Sequence, residues 1–222
     1  MNATSTSKQT RKRAPSKRAL ETRARILDAS EKFFAINGYD GTSLRDIAGE
    51  AGVPVGLVHH HGDSKDALFH TTVARRANEL SDARMTALRA LQRENGATLE
   101  KVIEAFFAPF LRLARSGDQW LAYARLVAHV SVDPRWRHIC AECFDPTADA
   151  FLDAIAEALP DTPRPVLAQS FVYSVSALLA HLTTRWRMET LGGSMDIEDA
   201  LQTRLVAYCA AGLRAMTTEP SV

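Results

Sequence analysis

Gly38 and Gly52 divide the chain between Thr22 and His61 into three helical segments, of which the first is the longest. The first segment has apolar residues at three- and four-residue spacing, as an amphipathic helix requires. The second is about two turns long, and Pro54 has the fixed backbone angle that can begin the third. Two short helices joined by a tight glycine turn, behind a longer supporting helix, are typical of a helix-turn-helix.

Positive charge is concentrated at the start of the chain. Residues 1–65 carry 11 Lys and Arg against 7 Asp and Glu, whereas the remainder carries 16 against 19. Residues 1–17 are therefore predicted to form a disordered basic arm that suits a polyanion. The alternative is a solvated tail that only aids solubility. The eight cations of the first 25 residues are Lys8, Arg11, Lys12, Arg13, Lys17, Arg18, Arg23 and Arg25.

Residues 22–69 resemble the DNA-binding domain of the TetR family. Their sequence reads TRARILDASEKFFAINGYDGTSLRDIAGEAGVPVGLVHHHGDSKDALF. The matching features are Phe33-Phe34, Gly38-Tyr39, Thr42-Ser43, Asp46-Ile47-Ala48, Gly52-Val53, Gly56, Ser64-Lys65 and Leu68. The resemblance implies an all-α protein with a helix-turn-helix domain over residues 18–66. A larger helical domain for effector binding and dimerisation would occupy residues 67–222.

The third helix is expected to enter the major groove of DNA by its N-terminal half. Val55 and Leu57 can touch thymine methyl groups, and His59 or His60 can donate to base edges or phosphate. Gly56 allows a close approach of the backbone. The full set of predicted DNA contacts is Ser43, Arg45, Val55, Gly56, Leu57, His59, His60, His61 and Lys65.

Arg45 is long enough to reach a guanine edge or a phosphate. Ser43, His61 and Lys65 are the expected phosphate anchors. Lys65 follows Ser64, where a helix start offers free amides that also favour anions.

Two positions depart from the family pattern. His59 stands where an aromatic residue, usually Tyr, is common, and Gly62 stands where the family usually has a Phe beneath the recognition helix. Loss of a buried Phe costs about 3 to 5 kcal/mol elsewhere unless neighbours fill the space. The corner over residues 59–64 is therefore expected to be looser or repacked.

The remainder of the chain shows helical periodicity and almost no strand signal. Glycine, serine and proline positions divide it into segments. The predicted helices cover residues 68–91, 97–115, 118–131, 134–158, 164–190 and 196–217. The last two are expected to form a homodimer interface that presents two recognition helices to a palindromic operator. Residues 188–216 resemble a subgroup of the family that includes a fatty-acid-responsive regulator.

The family resemblance implies a pocket for a small-molecule effector among the central helices. Residues 102–129 and 168–181 are expected to line it, with a few polar groups for orientation. Each candidate can also be an ordinary core or surface residue. They are Phe106, Phe110, Trp120, Tyr123, Arg125, His129, Gln169, Tyr173 and His181. The implied function is a regulator, most simply a repressor, released from double-stranded DNA by an apolar or acyl-type molecule.

Other classes of function find less support. No nucleophile elbow, phosphate loop, paired-His metal motif or Rossmann glycine pattern is present, so an enzyme is disfavoured and no cofactor is expected. Consecutive histidines at 59–61 point about 100° apart on a helix and cannot converge on a metal. A regulator without an effector, an interaction protein, and redox sensing through Cys140 and Cys143 stay open as alternatives.

The composition fits a cytoplasmic protein. Hydrophobic residues make up 46% of the chain and charged residues 24%, the balance of an ordinary globular protein. No apolar run is expected to approach the roughly 20 residues that cross a bilayer, and the N-terminus lacks the apolar core of a secretory signal. A membrane partner is not expected.

Overall fold

Every regular element in the described part of the chain is helical. The computed structural model describes residues 16–94, 96–192 and 198–217. The α-helices are α1 (Lys17–Asn37), α2 (Leu44–Ala51), α3 (Val55–Gly62), α4 (Lys65–Arg93), α5 (Leu99–Arg115), α6 (Asp118–Val132), α7 (Arg137–Cys143), α8 (Asp145–Ala158), α9 (Arg164–Thr183), α10 (Arg185–Gly192) and α11 (Glu198–Thr217). A 3₁₀ turn, Pro134–Trp136, precedes α7. The all-α class expected from the sequence is confirmed.

Local side-chain caps explain where the first helices begin and end. The Ser16 hydroxyl accepts a hydrogen bond from the Ala19 amide, and α1 therefore begins five residues earlier than the expected start at Thr22. Ser43 and Asp46 form the capping box that the spacing predicted for α2. Gly52, at φ 62°, ends α2 in the left-handed region that glycine adopts without strain.

The predicted basic arm lies almost wholly outside the described residues. Only its last two positions, 16 and 17, are described. They are the N-cap and first residue of α1, so the expected disorder is wrong there. Residues 196 and 197, the predicted start of the last helix, also lie outside the described residues, and α11 is described from Glu198.

The helix predicted over residues 134–158 is wrong, because three elements occupy this range. The 3₁₀ turn leads into α7, and Phe144, with φ −123° and ψ −40°, separates α7 from α8. Pro146 lies in the first turn of α8, where its missing amide hydrogen is tolerated. The same proline inside a continuous helix would remove a hydrogen bond, so the chain turns here.

The helix predicted over residues 164–190 is also divided. Thr184, with φ −121°, ends α9, and α10 begins at the next residue. The Thr184 hydroxyl donates to the Ala180 carbonyl at 2.6 Å, a local bond that competes with the helical ladder. No residue of α10 is buried, so packing does not oppose the break.

One hydrophobic core runs from α1 to α11 through both halves of the chain. Where the helix-turn-helix meets the larger half, four aromatic rings pack together. The Phe69 ring centroid lies 4.9 Å from that of Phe34 and 4.4 Å from that of Trp136, which is 4.8 Å from Tyr39. Offset and edge contacts of this kind add to the apolar area that is buried. The recognition helix therefore rests on a base that belongs to both halves.

A buried ion pair joins α1 to α4. Arg76 Nε donates to the Glu31 carboxylate, and the Glu31 side chain is only 3% exposed. The Arg76 guanidinium carbon lies 5.1 Å from the centroid of the Trp120 ring on α6. Burial raises the pKa of Glu31, and the hydrogen bond and charge of Arg76 oppose that rise. The pair and the ring therefore fix the relative positions of α1, α4 and α6.

Helix α9 contains a longer apolar stretch than the sequence analysis expected. By length and composition alone this helix is sufficient to cross a bilayer. Only 33% of its apolar segment is buried, against α6, α8 and α11. Its opposite side exposes Val172 and Tyr173, each by more than half of its surface. The expectation of no such apolar run is therefore wrong.

Replacing Arg76 by Met should lower the free energy of unfolding by about 3 kcal/mol at pH 8, because a buried carboxylate is left without its partner. The deficit should shrink toward pH 5. The unpaired Glu31 has a folded-state pKa above its unfolded value, so the folded state takes up the proton first and gains stability as the pH falls. Urea titrations at the two pH values measure both effects.

Two further variants serve as controls. The double replacement Glu31→Leu with Arg76→Met removes both charges and should recover most of the loss. Arg75→Met removes the neighbouring contact to Asp28, at 2.6 Å and more exposed, and should cost at most about 1 kcal/mol. Equal losses in Arg75→Met and Arg76→Met would contradict the assigned role of the buried pair.

Candidate nucleic-acid interface and ligand cavity

Helix α3 presents one face to solvent and buries the other. Val58 has no exposed surface, whereas Val55 and Leu57 are 39% and 38% exposed. His59 and His60 are exposed on the same side. The exposed face of α3 therefore includes two apolar side chains. No atom lies within 4 Å of a Cβ built on Gly56, so a partner's backbone can approach there.

The residues at the start of α2 lie at the surface, but one of them, Ser43, is already hydrogen-bonded within the helix cap. Arg45 is exposed. The Ser43 hydroxyl donates to the Asp46 carboxylate at 2.6 Å and accepts from the Asp46 amide at 3.1 Å. The bond from the Ser43 hydroxyl, followed by one from the Ser43 amide at 3.0 Å, holds the pKa of the Asp46 carboxyl below its usual range. A phosphate at Ser43 would meet this carboxylate, so Arg45 is the better placed of the two for an anion.

Lys65 begins α4 beside the recognition helix. Its Nζ lies 4.2 Å from the centroid of the Tyr39 ring, a cation–π contact that holds the ammonium at this corner. The Tyr39 hydroxyl donates to the Asp66 carboxylate. Burial, followed by this bond and the charge of Asp66, raises the pKa of Tyr39 to about 12. The tyrosine therefore stays neutral near pH 7.

The three consecutive histidines differ in their surroundings. Burial lowers the pKa of His61, and the nearby charges of His60 and Arg23 lower it further. His61 is therefore a neutral donor near pH 7. The rings of His60 and His61 lie 5.3 Å apart between centroids. Among the residues that the structure describes, no group of three His, Cys, Asp or Glu side chains is placed to hold a metal ion.

The α3–α4 corner is repacked around Gly62. A Cβ built on Gly62 would lie 3.0 Å from Leu68 Cβ and 3.3 Å from Leu68 Cδ1, and Leu68 is 1% exposed. Leu68 thus occupies the space under α3. Asp63 turns the corner at φ 54° and ψ −60°, with the Ser64 amide donating to the Gly62 carbonyl. This is a γ-turn of the rare kind with positive φ, which reverses the chain within three residues.

A cavity of about 720 Å³ opens among the helices of the larger half. Helix α4 contributes Ala77, Leu80, Ser81 and Arg84, and α5 contributes Phe106 and Phe110. Apolar residues of α6, α8 and α9 complete the wall, with a few hydroxyls and two carboxylates. The volume is within the range of small-molecule sites.

The predicted ligand-binding residues are distributed over several places. Phe106 and Phe110 line the cavity, whereas Trp120 and Tyr123 are buried in the core beside it, with the Tyr123 hydroxyl donating to the Val73 carbonyl. Arg125 and His181 line a smaller cavity of about 420 Å³. The predicted residues are dispersed because successive residues of a helix point in different directions, so residues of one segment cannot all face the same cavity.

The other three polar candidates point away from both cavities. His129 and Gln169 are exposed, and the Gln169 amide donates to the Tyr173 hydroxyl at 2.8 Å on the outer side of α9. Residues 168, 171, 172, 175 and 176 of the same helix line the larger cavity. The sequence predicted the correct segment of α9 but not its rotation.

Arg84 is the cavity residue that the sequence analysis missed. It is 9% exposed, and its Nε donates to the Phe106 carbonyl at 2.9 Å. Its guanidinium carbon lies 3.6 Å from the centroid of the Phe106 ring. Burial lowers the pKa of Arg84 to about 9, which leaves it a cation at pH 7. One signal existed in the sequence, because Arg84 interrupts the apolar spacing of Leu80 and Leu88.

The cysteine pair forms part of the cavity wall. Cys140 and Cys143 both line it and neither is in a disulfide. Burial raises the pKa of both thiols, that of Cys143 to about 11, with help from the charge of Glu142. Since the thiolate is the reactive form, this setting does not favour redox sensing.

Two family models match the chain. Residues 26–72 match the model described as bacterial regulatory proteins, tetR family, and residues 104–212 match that of a tetracyclin repressor-like C-terminal domain. Together the two matches span well over half of the chain. The first contains α2, α3 and the start of α4, and the second contains most of the cavity wall.

Curated relatives agree with these matches. The HTH-type transcriptional regulator BetI of Burkholderia thailandensis is 26% identical over 189 residues, covering 81% of this chain and 88% of that protein. BetI of Burkholderia cenocepacia is 26% identical over 180 residues, with the same coverage. The similarity therefore extends over both halves.

Solved structures support the same fold. A putative tetR family regulator from Shewanella sp. PV-4 superposes with a TM-score of 0.64 at 20% identity, covering 89% of this chain and 99% of that one. A TetR-family regulator from Bordetella parapertussis gives a TM-score of 0.64 at 17% identity, covering 84% and 93%.

Replacing Gly62 by Phe, the residue usual in the family, should lower the free energy of unfolding by about 1 to 3 kcal/mol, because the ring must displace Leu68 from a filled core. Chemical denaturation measures the change. Gly56→Ala is the matched control on the same helix, where the added Cβ meets nothing and should stabilise the helix by up to about 1 kcal/mol. A Gly62→Phe protein as stable as the parent would mean that this corner has room for the ring.

Proposed function

The chain belongs to the TetR family of bacterial transcriptional regulators, and we propose that it is a dimeric repressor. It binds a palindromic operator in double-stranded DNA and leaves it when a small, largely apolar molecule occupies the larger cavity. The observation that carries this proposal is the course of α4. This helix begins at Lys65 beside the recognition helix and also forms one wall of the cavity.

Helix α4 connects the recognition helix to the cavity without interruption. At about 1.5 Å per residue, Lys65 and Arg84 are roughly 28 Å apart along one continuous helix. Between them, Arg76 pairs with Glu31 of α1. A ligand that shifts α4 at the cavity would move α1 and the recognition helix with it. Effector and operator must then oppose each other's binding by the same factor.

On this proposal the two halves of the chain have different functions, DNA binding in one and effector binding with dimerisation in the other. Residues 18–66 read the DNA, with Arg45, Val55, Leu57 and His60 at base edges or phosphates. Lys65 and the N-terminal turn of α4 anchor the backbone. Residues 67–222 hold the effector and the dimer contact. The protein acts in the cytoplasm as a binding protein with no membrane contact and no turnover of its ligand.

The dimer contact is assigned to α9 and α11. Their outward side chains include Tyr173 and Tyr208, which are 57% and 72% exposed. Exposed apolar side chains on two neighbouring helices fit an isologous four-helix contact across a two-fold axis. Two recognition helices so related would reach successive major grooves about 34 to 36 Å apart.

DNA from the region upstream of its own gene should bind the protein in a saturable manner, with an affinity that falls steeply as salt rises. Lys65→Ala should weaken binding about tenfold and lower the salt slope by about 1, because one phosphate contact is lost. Fluorescence anisotropy across a salt series measures both quantities. His60→Ala should also weaken binding.

Lys101→Ala is the matched control, an exposed lysine on α5 far along the chain from the recognition helix. It should leave the affinity and the salt slope unchanged. Only weak binding that is independent of DNA sequence, or equal losses in the two lysine variants, would contradict the proposed interface. A bound effector that leaves operator affinity unaltered would contradict the proposed release and favour a regulator without an effector.

A further inference from the structure

We infer that the larger cavity takes an amphipathic carboxylate, with an apolar body against the phenylalanines and an anionic group paired with Arg84. The inference rests on the proposed function, since it names the chemical class of the effector for the same cavity. It depends on the bonds, burial and surroundings of Arg84.

The guanidinium of Arg84 is fixed at one edge and open at the other. Within the described part of the chain, its hydrogen bond goes from Nε to the Phe106 carbonyl, and its face lies on the Phe106 ring. Among the described residues, no buried side-chain nitrogen or oxygen lacks a partner. Among these residues the two terminal nitrogens have no hydrogen-bond partner, so they are not fully buried and can be reached from the cavity that Arg84 lines. They form the planar fork that binds a carboxylate through two parallel bonds.

No acidic side chain of the described chain neutralises Arg84. Two carboxylates, Asp145 and Asp149, also line the cavity, but both are exposed. Asp149 pairs with Arg164 at 3.0 Å. A buried cation without a counter-charge is unfavourable, and a protein normally pairs it or replaces it with an apolar residue. An anion from outside the chain would supply the missing partner.

A backbone carbonyl of α5 holds Arg84 in this place, because the Phe106 carbonyl accepts a hydrogen bond from Arg84 Nε. This contact orients the guanidinium without cancelling its charge. Ser81, three residues earlier on α4 and thus on a neighbouring position of the same face, also lines the cavity.

The rest of the wall specifies the ligand body. Four phenylalanines line the cavity, Phe106, Phe110, Phe144 and Phe171, together with aliphatic residues of α6, α8 and α9. Ser81 and Thr147 hydrogen-bond to each other at 2.5 Å, which uses part of the hydrogen-bonding capacity of these two hydroxyls. A polar body would lose its hydration against the apolar part of this wall with little compensation. One anionic group on an otherwise apolar molecule fits both the wall and Arg84.

Three ligands with the same ten-carbon chain separate the role of charge from that of apolar area: decanoate, decan-1-ol and decylamine. Isothermal titration calorimetry gives their affinities for the full-length protein and for Arg84→Met. Arg89→Met is the matched control, because Arg89 is exposed on the same helix and lines neither cavity. Arg84→Gln is a second variant, which keeps an N–H donor for the Phe106 carbonyl should Met disturb the packing.

Decanoate should bind the parent protein and Arg89→Met at least about tenfold more tightly than the alcohol, as a charge-assisted bond in an apolar site allows. Decylamine should bind least. Both Arg84 variants should lose the preference for the acid. The unliganded Arg84→Met protein should melt at a temperature equal to or above that of the parent, because a buried unpaired charge is removed. A residue with only a structural role would lower it.

Equal affinity for the acid and the alcohol, unchanged discrimination in the Arg84 variants, or no binding of decanoate at all would each overturn the carboxylate assignment. Operator binding measured on the same samples tests the proposed function separately. If decanoate binds through Arg84 but operator affinity does not respond, the release mechanism fails and the site remains. If the alcohol releases the operator as well as the acid does, the mechanism remains and the carboxylate assignment fails.

Discussion

The buried pair of Glu31 and Arg76 is the contact on which the arrangement of the two halves depends. Two opposite charges removed from water stabilise a structure only when their geometry is satisfied, so the pair tolerates few relative positions of α1 and α4. Trp120 of α6 packs on the same guanidinium. The helix that supports the recognition helix and the helix that lines the cavity are thereby set together. Neither can rotate far without leaving a charge unpaired.

Two buried arginines on α4 illustrate different uses of the same residue type. Arg76 has a carboxylate partner within the chain and contributes to the architecture. Arg84 has a carbonyl and an aromatic face but no acid among the described residues. The first arrangement is complete in itself. On the assignment proposed above, Arg84 gains its counter-charge only from an anionic ligand. This difference is the basis for assigning a carboxylate to the cavity.

The corner between α3 and α4 shows how a departure from the family pattern is compensated. Gly62 removes the large side chain usual at this position, and Leu68 occupies the space from one turn inside α4. The γ-turn at Asp63 brings α4 close enough for that contact. The aromatic cluster of Phe34, Tyr39, Phe69 and Trp136 lies next to it. The recognition helix therefore keeps a firm base without the usual ring.

The sequence by itself determined the helical class, the caps at Ser43 and Gly52, and the exposed face of α3, because caps and amphipathic spacing are local properties. It missed the breaks at Phe144 and Thr184, where turn chemistry and packing overrule helical periodicity. Only the tertiary structure decided which faces of α5 and α9 meet the cavity, and that Arg84 lies there without an acid. The rotation of a helix about its axis depends on neighbours that are distant in the chain. Whether a charged residue in an apolar stripe is paired or unpaired depends on the groups that the tertiary structure places around it.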